Sequence, residues 1–123
     1  MRALPLLALV WLIGCGSDGG DGAPDAAVAG RLCSTGFDAG TPTVIASPAL
    51  ECASGLCLHV EGSAMDMCTA RCEGAADCVE GASSACTAGM MCVIPMDVGP
   101  FACQQMCVCA DQVPAGGFVV TCP

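Results

Sequence analysis

The sequence predicts a small disulfide-rich domain of short β-hairpins and loops, and three observations predict it. Thirteen of the 123 residues are cysteine, above the level that marks a disulfide scaffold in a short secreted chain. Aromatic side chains are scarce, with one Trp, three Phe and no Tyr, so a conventional aliphatic and aromatic core is not expected. The cysteines also recur in two patterned units of about 35 residues. Small domains without a large apolar core compensate with covalent cross-links.

The chain divides into three parts. Residues 1–14 read as an export signal. Met1 and Arg2 give a short positive start, and Ala3 to Ile13 is an unbroken apolar run. That run fits a signal core and is shorter than the roughly 20 residues needed to span a bilayer. It ends in Leu12-Ile13-Gly14-Cys15, a small residue immediately before a cysteine. Residues 15–30 read as a tether. Gly16 to Gly30 is mostly Gly, Ala, Asp and Pro, a composition that stays solvated and extended. Asp18, Asp21 and Asp25 lack the closing Glu and the glycine spacing of a calcium loop, and read as tether charges. The domain itself is expected from about Arg31 to Pro123.

With Cys15 set aside, twelve cysteines remain: Cys33, Cys52, Cys57, Cys68, Cys72, Cys78, Cys86, Cys92, Cys103, Cys107, Cys109 and Cys122. An even number in an exported chain predicts complete pairing into six disulfides, whereas counting Cys15 makes the number odd. Cys52-x4-Cys57-x10-Cys68-x3-Cys72 is followed by Cys86-x5-Cys92-x10-Cys103-x3-Cys107. The repeats are expected at about 52–78 and 86–109, each gaining one further cysteine, Cys78 or Cys109, with Cys33 and Cys122 bracketing them. Spacing leaves the connectivity open, since twelve cysteines admit roughly 10,000 pairings.

Each unit is expected to hold a hairpin. The first runs out over Leu56–Val60, turns at Glu61–Ala64 and returns over Met65–Thr69. The second runs over Met91–Pro95, turns at Met96–Gly99 and returns over Phe101–Met106. A third is expected to join Met106–Ala110 to Phe118–Cys122 across the Pro and Gly cluster at 114–117. Helix is expected only as short turns, for instance near Thr69–Ala75. An isolated hairpin is marginal in water, so the disulfides must supply the stability, on the order of 2–4 kcal/mol each.

Charge removes some functions. Twelve carboxylates stand against three arginines and no lysine, and Arg2 would leave with the signal. Such a surface repels nucleic-acid phosphates and anionic lipid headgroups alike. Zinc ribbons need C-x2-C pairs, and none occurs. The same absence argues against a thioredoxin-type redox site, because Cys68-x3-Cys72 and Cys103-x3-Cys107 are one residue too long. One histidine with no spaced partners supports no catalytic triad, and Glu73 with Asp77 reads as a solvated face. The chain is therefore expected to be no enzyme, with no cofactor and no resident metal. An alternative is a soft-metal site for Cu(I), drawing on the thioethers of Met65, Met67, Met90, Met91, Met96 and Met106 with His59. Against it, methionine is a flexible filler of cores that lack Leu and Phe. His59, on a strand in Cys57-Leu-His-Val, is expected to be exposed.

The Leu12-Ile13-Gly14-Cys15 stretch resembles the lipobox of bacterial lipoproteins. That resemblance implies acylation of the Cys15 thiol, with palmitate-type chains, and cleavage of the signal before it. Several acyl chains give a durable membrane anchor where one holds only marginally. Gly16 after the cysteine, rather than Asp, is similar to the pattern associated with outer-membrane sorting. Cys52-Ala-Ser-Gly-Leu-Cys57, Cys68-Thr-Ala-Arg-Cys72 and the following Asp77-Cys78 resemble cysteine-rich lipoproteins of myxobacteria, which carry such elements behind a Gly/Asp tether. The resemblance implies an extracytoplasmic, lipid-anchored module that interacts with a protein or envelope partner or has a structural role there.

Overall fold

The computed structural model describes residues 29–123; the predicted signal, Cys15 and nearly all of the predicted tether lie outside them. Six short strands make up the regular structure: β1 (Leu32–Cys33), β2 (Val44–Ala46), β3 (Cys57–His59), β4 (Asp66–Cys68), β5 (Met90–Val93) and β6 (Met106–Cys109). Two single 3₁₀ turns, Ala75–Asp77 and Ala110–Gln112, are the helical content among the described residues. The fold is thus the small disulfide-rich class expected from the cysteine count.

The first four strands form one antiparallel sheet in the order β1-β4-β3-β2, and β5 pairs with β6 in a second. The first predicted hairpin is present, trimmed at its ends: β3 and β4 pair with Cys57 opposite Cys68 and Leu58 opposite Met67. The two sheets are joined through the segment after β4. Arg71 bridges to Met106, Cys107 N–H donates to the Ala70 carbonyl, and Thr69 Oγ1 donates to the Cys107 carbonyl at 2.7 Å. The outer edge of β6 is thereby occupied, leaving no orphaned row of backbone donors there.

Two hairpin expectations are corrected. The strand returning to β5 is Met106–Cys109, not Phe101–Met106. Residues 99–103 form consecutive turns instead, with Ala102 N–H donating to Gly99 O and Cys103 N–H to Met96 O. Cys103 adopts φ +60°, a left-handed conformation that a strand does not accommodate. The third hairpin is absent: Phe118–Cys122 is not a strand, and β6 spends its pairing capacity on β5 and Arg71. The tail is held across the β5–β6 loop instead, by the Cys103–Cys122 disulfide and by Thr121 N–H donating to Asp97 Oδ2 at 2.7 Å.

All twelve cysteines after Cys15 are bonded: Cys33–Cys57, Cys52–Cys68, Cys72–Cys92, Cys78–Cys107, Cys86–Cys109 and Cys103–Cys122. The bonds do not follow the two units read from spacing, since Cys52 joins Cys68 while its counterpart Cys86 joins Cys109. A different correspondence holds. Cys33, Cys52, Cys57, Cys68 and Cys72, Cys78, Cys92, Cys107 are each bonded first to third and second to fourth. In both sets the third and fourth cysteines face each other across a hairpin, Cys57 opposite Cys68 and Cys92 opposite Cys107. In both, three sulfurs lie within 4.8 Å of one another, so the two bonds stack. This shared bonding pattern covers 33–68 and 72–107, with Cys86–Cys109 and Cys103–Cys122 added to the second half.

Side chains from both halves build the largest apolar cluster among the described residues: Ile45, Leu58 and Val60 from the first half, Met96, Met106 and Val108 from the second, with Phe101, Val113 and Phe118 packed around them. Sulfur fills the rest, in clusters such as Cys72, Cys78 and Cys107 with Ala29 and Ala70. Ala29 and Gly30, placed in the tether by composition, belong to the domain. Ala29 is fully buried, and Gly30 N–H donates to Cys68 O at 3.0 Å. Gly30 has φ +91°, and a Cβ there would overlap Ser84 Oγ, so glycine alone fits this entry point.

Candidate functional site

The most developed polar site lies where β1, β3, β4 and the loop before β2 converge. Continuing the β3–β4 register places His59 opposite Asp66, and the two side chains meet, Nδ1 to Oδ1, at 2.7 Å. The other ring nitrogen, Nε2, lies 3.0 Å from the Thr41 carbonyl. The Asp66 carboxylate and the Thr41 carbonyl both accept, so whichever ring nitrogen carries a proton finds a partner. Asp66 also accepts hydrogen bonds from the Thr35 hydroxyl and from Thr35 N–H. Phe37 packs tilted against the imidazole with ring centroids 6.1 Å apart.

Burial alone would raise the Asp66 carboxyl pKa, yet it lies below its ordinary value. The hydrogen bonds from Thr35 Oγ1, His59 and Thr35 N–H together outweigh desolvation, aided by the imidazole charge. His59 has 0% of its surface exposed, which corrects the expectation of an exposed histidine. The reason is topological. β3 is an inner strand with β4 on one side and β2 on the other, and the loop from Ser34 to Thr43 closes over its face. The network pins that loop, which has no strand pairing of its own between Ser34 and Thr43.

The methionines are dispersed. Met96 and Met106 belong to the main apolar cluster, Met67 packs with Cys86, Cys109 and Met90, and Met65 and Met91 are exposed. His59 offers no uncommitted ring nitrogen beside any of them. The groups of cysteines whose sulfurs approach one another, Cys33 with Cys52 and Cys57 and Cys72 with Cys78 and Cys107, are stacked disulfides rather than thiolates.

Glu73 and Asp77 are exposed, and Asp77 caps its own turn by accepting from Glu73 N–H and Gly74 N–H. Gln112 was not legible as a linking residue. From the second 3₁₀ turn its amide donates to Ser63 Oγ at 3.0 Å and to Met65 O at 2.6 Å, fastening the β3–β4 turn to the second half. Leu12, Ile13, Gly14 and Cys15 lie outside the described residues.

Two open depressions adjoin at Glu61 and Gly62, and Gln112 lines the second. One, of about 670 Å³, runs between Pro42–Thr43, Pro95–Val98 and the tail at 117–120; the other, of about 480 Å³, lies between Ser63–Met67, Ala85–Thr87 and Asp111–Pro114. Both are lined by Glu61, Gly62 and Pro114.

What the geometry defines is a disulfide-knit β-hairpin domain with a buried, hydrogen-bonded His59–Asp66 pair and an acidic, grooved surface. No protein-family model, no curated protein and no solved structure matches this chain. No helix among the described residues is long and apolar enough to cross a membrane.

Proposed function

We propose that the chain is the precursor of a bacterial lipoprotein, anchored in the cell envelope through acyl groups on Cys15 and placed in the outer membrane. Its disulfide domain is a non-enzymatic module that binds a protein or envelope partner or braces the envelope. The observation that carries this reading is the use of the cysteines. Every cysteine after Cys15 is committed to a bond with another of that set, so the one cysteine in the Leu12-Ile13-Gly14-Cys15 motif stands apart from the scaffold. Six disulfides belong to an oxidising compartment, in keeping with export. The short apolar segment ahead of Cys15 supplies the export route.

The test is Cys15→Ser in a bacterial host that processes lipoproteins. The parent chain is expected to sediment with membranes and to incorporate radiolabelled palmitate. C15S is expected to lose the label and to leave the outer-membrane fraction. A C15S chain that keeps both properties would refute the anchor.

A further inference from the structure

We propose that the two joined depressions form one groove that docks an extended, basic and aliphatic peptide segment of a partner protein. This deepens the reading of the domain as an interaction module, and rests on it, by giving the partner's chemistry.

Three features of the groove carry the inference. First, it is continuous: the two depressions share Glu61, Gly62 and Pro114, so one chain segment can run from one into the other over these residues. Second, its sign is uniform. Glu61 lies at the junction, Asp97 in one depression and Asp111 in the other, and among the described residues no cation lines either depression. The two arginines of the domain lie elsewhere, Arg71 over the Phe101 ring and Arg31 at the backbone bridge to Ser84. Third, the groove presents aliphatic surface that the fold leaves uncovered. Val119 is 100% exposed and Val98 69% exposed, and Met65 is exposed beside the second depression. The backbone of Phe118–Val120 makes no backbone hydrogen bond among the described residues, so it offers donors and acceptors to an incoming strand.

Charge selects the occupant. A second copy of this chain carries a formal charge of −9, and residues 16–28 contain three aspartates and no cation, so both are repelled by the same carboxylates. Anionic lipid headgroups are repelled likewise. A segment that alternates Arg or Lys with Val or Ile places its cations at Glu61, Asp97 and Asp111. Its aliphatic side chains meet the exposed Val98, Val119 and Met65.

The experiment uses the full chain in zwitterionic lipid nanodiscs, with empty nanodiscs as blank, and a fluorescein-labelled octapeptide of alternating valine and arginine. Anisotropy is expected to show saturable binding. Affinity is expected to fall about ten-fold or more for a valine–glutamate octapeptide and for a serine–arginine octapeptide. Glu61→Lys and Val119→Asp, both at exposed positions, are each expected to weaken the valine–arginine peptide by about ten-fold at unchanged elution volume. Equal binding of the serine–arginine peptide would reduce the effect to bulk charge and overturn the proposal. So would indifference of Kd to both substitutions, or preferential binding of a peptide of residues 16–28 or of a second copy. In-cell cross-linking separates the two levels. A partner held equally by the parent and V119D chains refutes the groove and keeps the interaction reading, and no cross-linked partner with either chain refutes both.

Discussion

Replacing Cys78 and Cys107 by alanine is expected to destabilise the domain more than replacing Cys103 and Cys122, and the structure sets the margin. The Cys78–Cys107 bond closes a sequence separation of 29, and Cys103–Cys122 one of 19. Loop-closure entropy makes these constraints worth about 3.6 and about 3.2 kcal/mol respectively, nearly the same. Burial separates them. Cys78 and Cys107 are both buried, within a cluster of Ala29, Ala70 and Cys72, whereas Cys103 and Cys122 are half-buried at the tail. Deleting two enclosed sulfurs adds about 1 kcal/mol each for lost contacts and unfilled volume. The buried pair is therefore expected to cost about 5–6 kcal/mol and the tail pair about 3 kcal/mol. Equilibrium urea unfolding without reductant reads the difference, with intact mass verifying the other five bonds in each variant. Equal losses, or a larger loss for C103A/C122A, would refute the claim that sulfur serves here as core as well as staple. A C78A/C107A chain that recovers no native fold is the extreme of the expected order.

Other consequences follow from the polar site and the chain entry. His59→Leu keeps the volume but leaves Asp66 without its imidazole and the Thr41 carbonyl unpaired, and is expected to cost about 3 kcal/mol in the same unfolding assay. Because the folded Asp66 pKa lies below its ordinary value of 3.8, the stability it contributes is complete above that value and is lost as pH falls through the folded one. Acid unfolding is accordingly expected to steepen below about pH 4, and Asp66→Asn to flatten that part of the profile. Gly30→Ala meets both a left-handed φ and the Ser84 hydroxyl, and is expected to cost about 2 kcal/mol. Adding Ser84→Ala is expected to restore only part of it, since the φ penalty persists.

The features legible in the sequence were those that depend on counts and local alternation. The parity of the cysteines foretold complete pairing, and the Leu56–Val60 and Met65–Thr69 runs foretold the first hairpin because a short turn fixes register. That register by itself sets His59 against Asp66, so the pairing of the two is implicit in the hairpin's residues. What hid the burial of His59 was the loop from Ser34 to Thr43, which carries no periodicity. The second hairpin was misplaced because Phe101–Met106 is apolar enough to read as a strand. Met106–Ala110 does read as a strand, but Met106–Cys109 is buried along its whole length and shows no alternation, so nothing local marks Met90–Val93 rather than the tail as its partner. Connectivity was illegible for a combinatorial reason. The matching intervals 52/57/68/72 and 86/92/103/107 do not align the cysteines that face each other across hairpins, 57/68 and 92/107, because a 12-residue loop from Ile94 to Gln105 inserts Cys103 between the latter two. The grooves arise where three distant segments meet, and no local pattern announces them.

One cysteine serves the membrane anchor and twelve the scaffold in the proposed lipoprotein, and intact-mass analysis of the protein extracted from bacterial membranes tests this division most directly. The predicted result is a chain beginning at Cys15, heavier than its polypeptide by two or three acyl groups, with six disulfides and no thiol that alkylates before reduction. A chain that retains Met1, an unacylated Cys15, or two or more alkylated cysteines before reduction would contradict it.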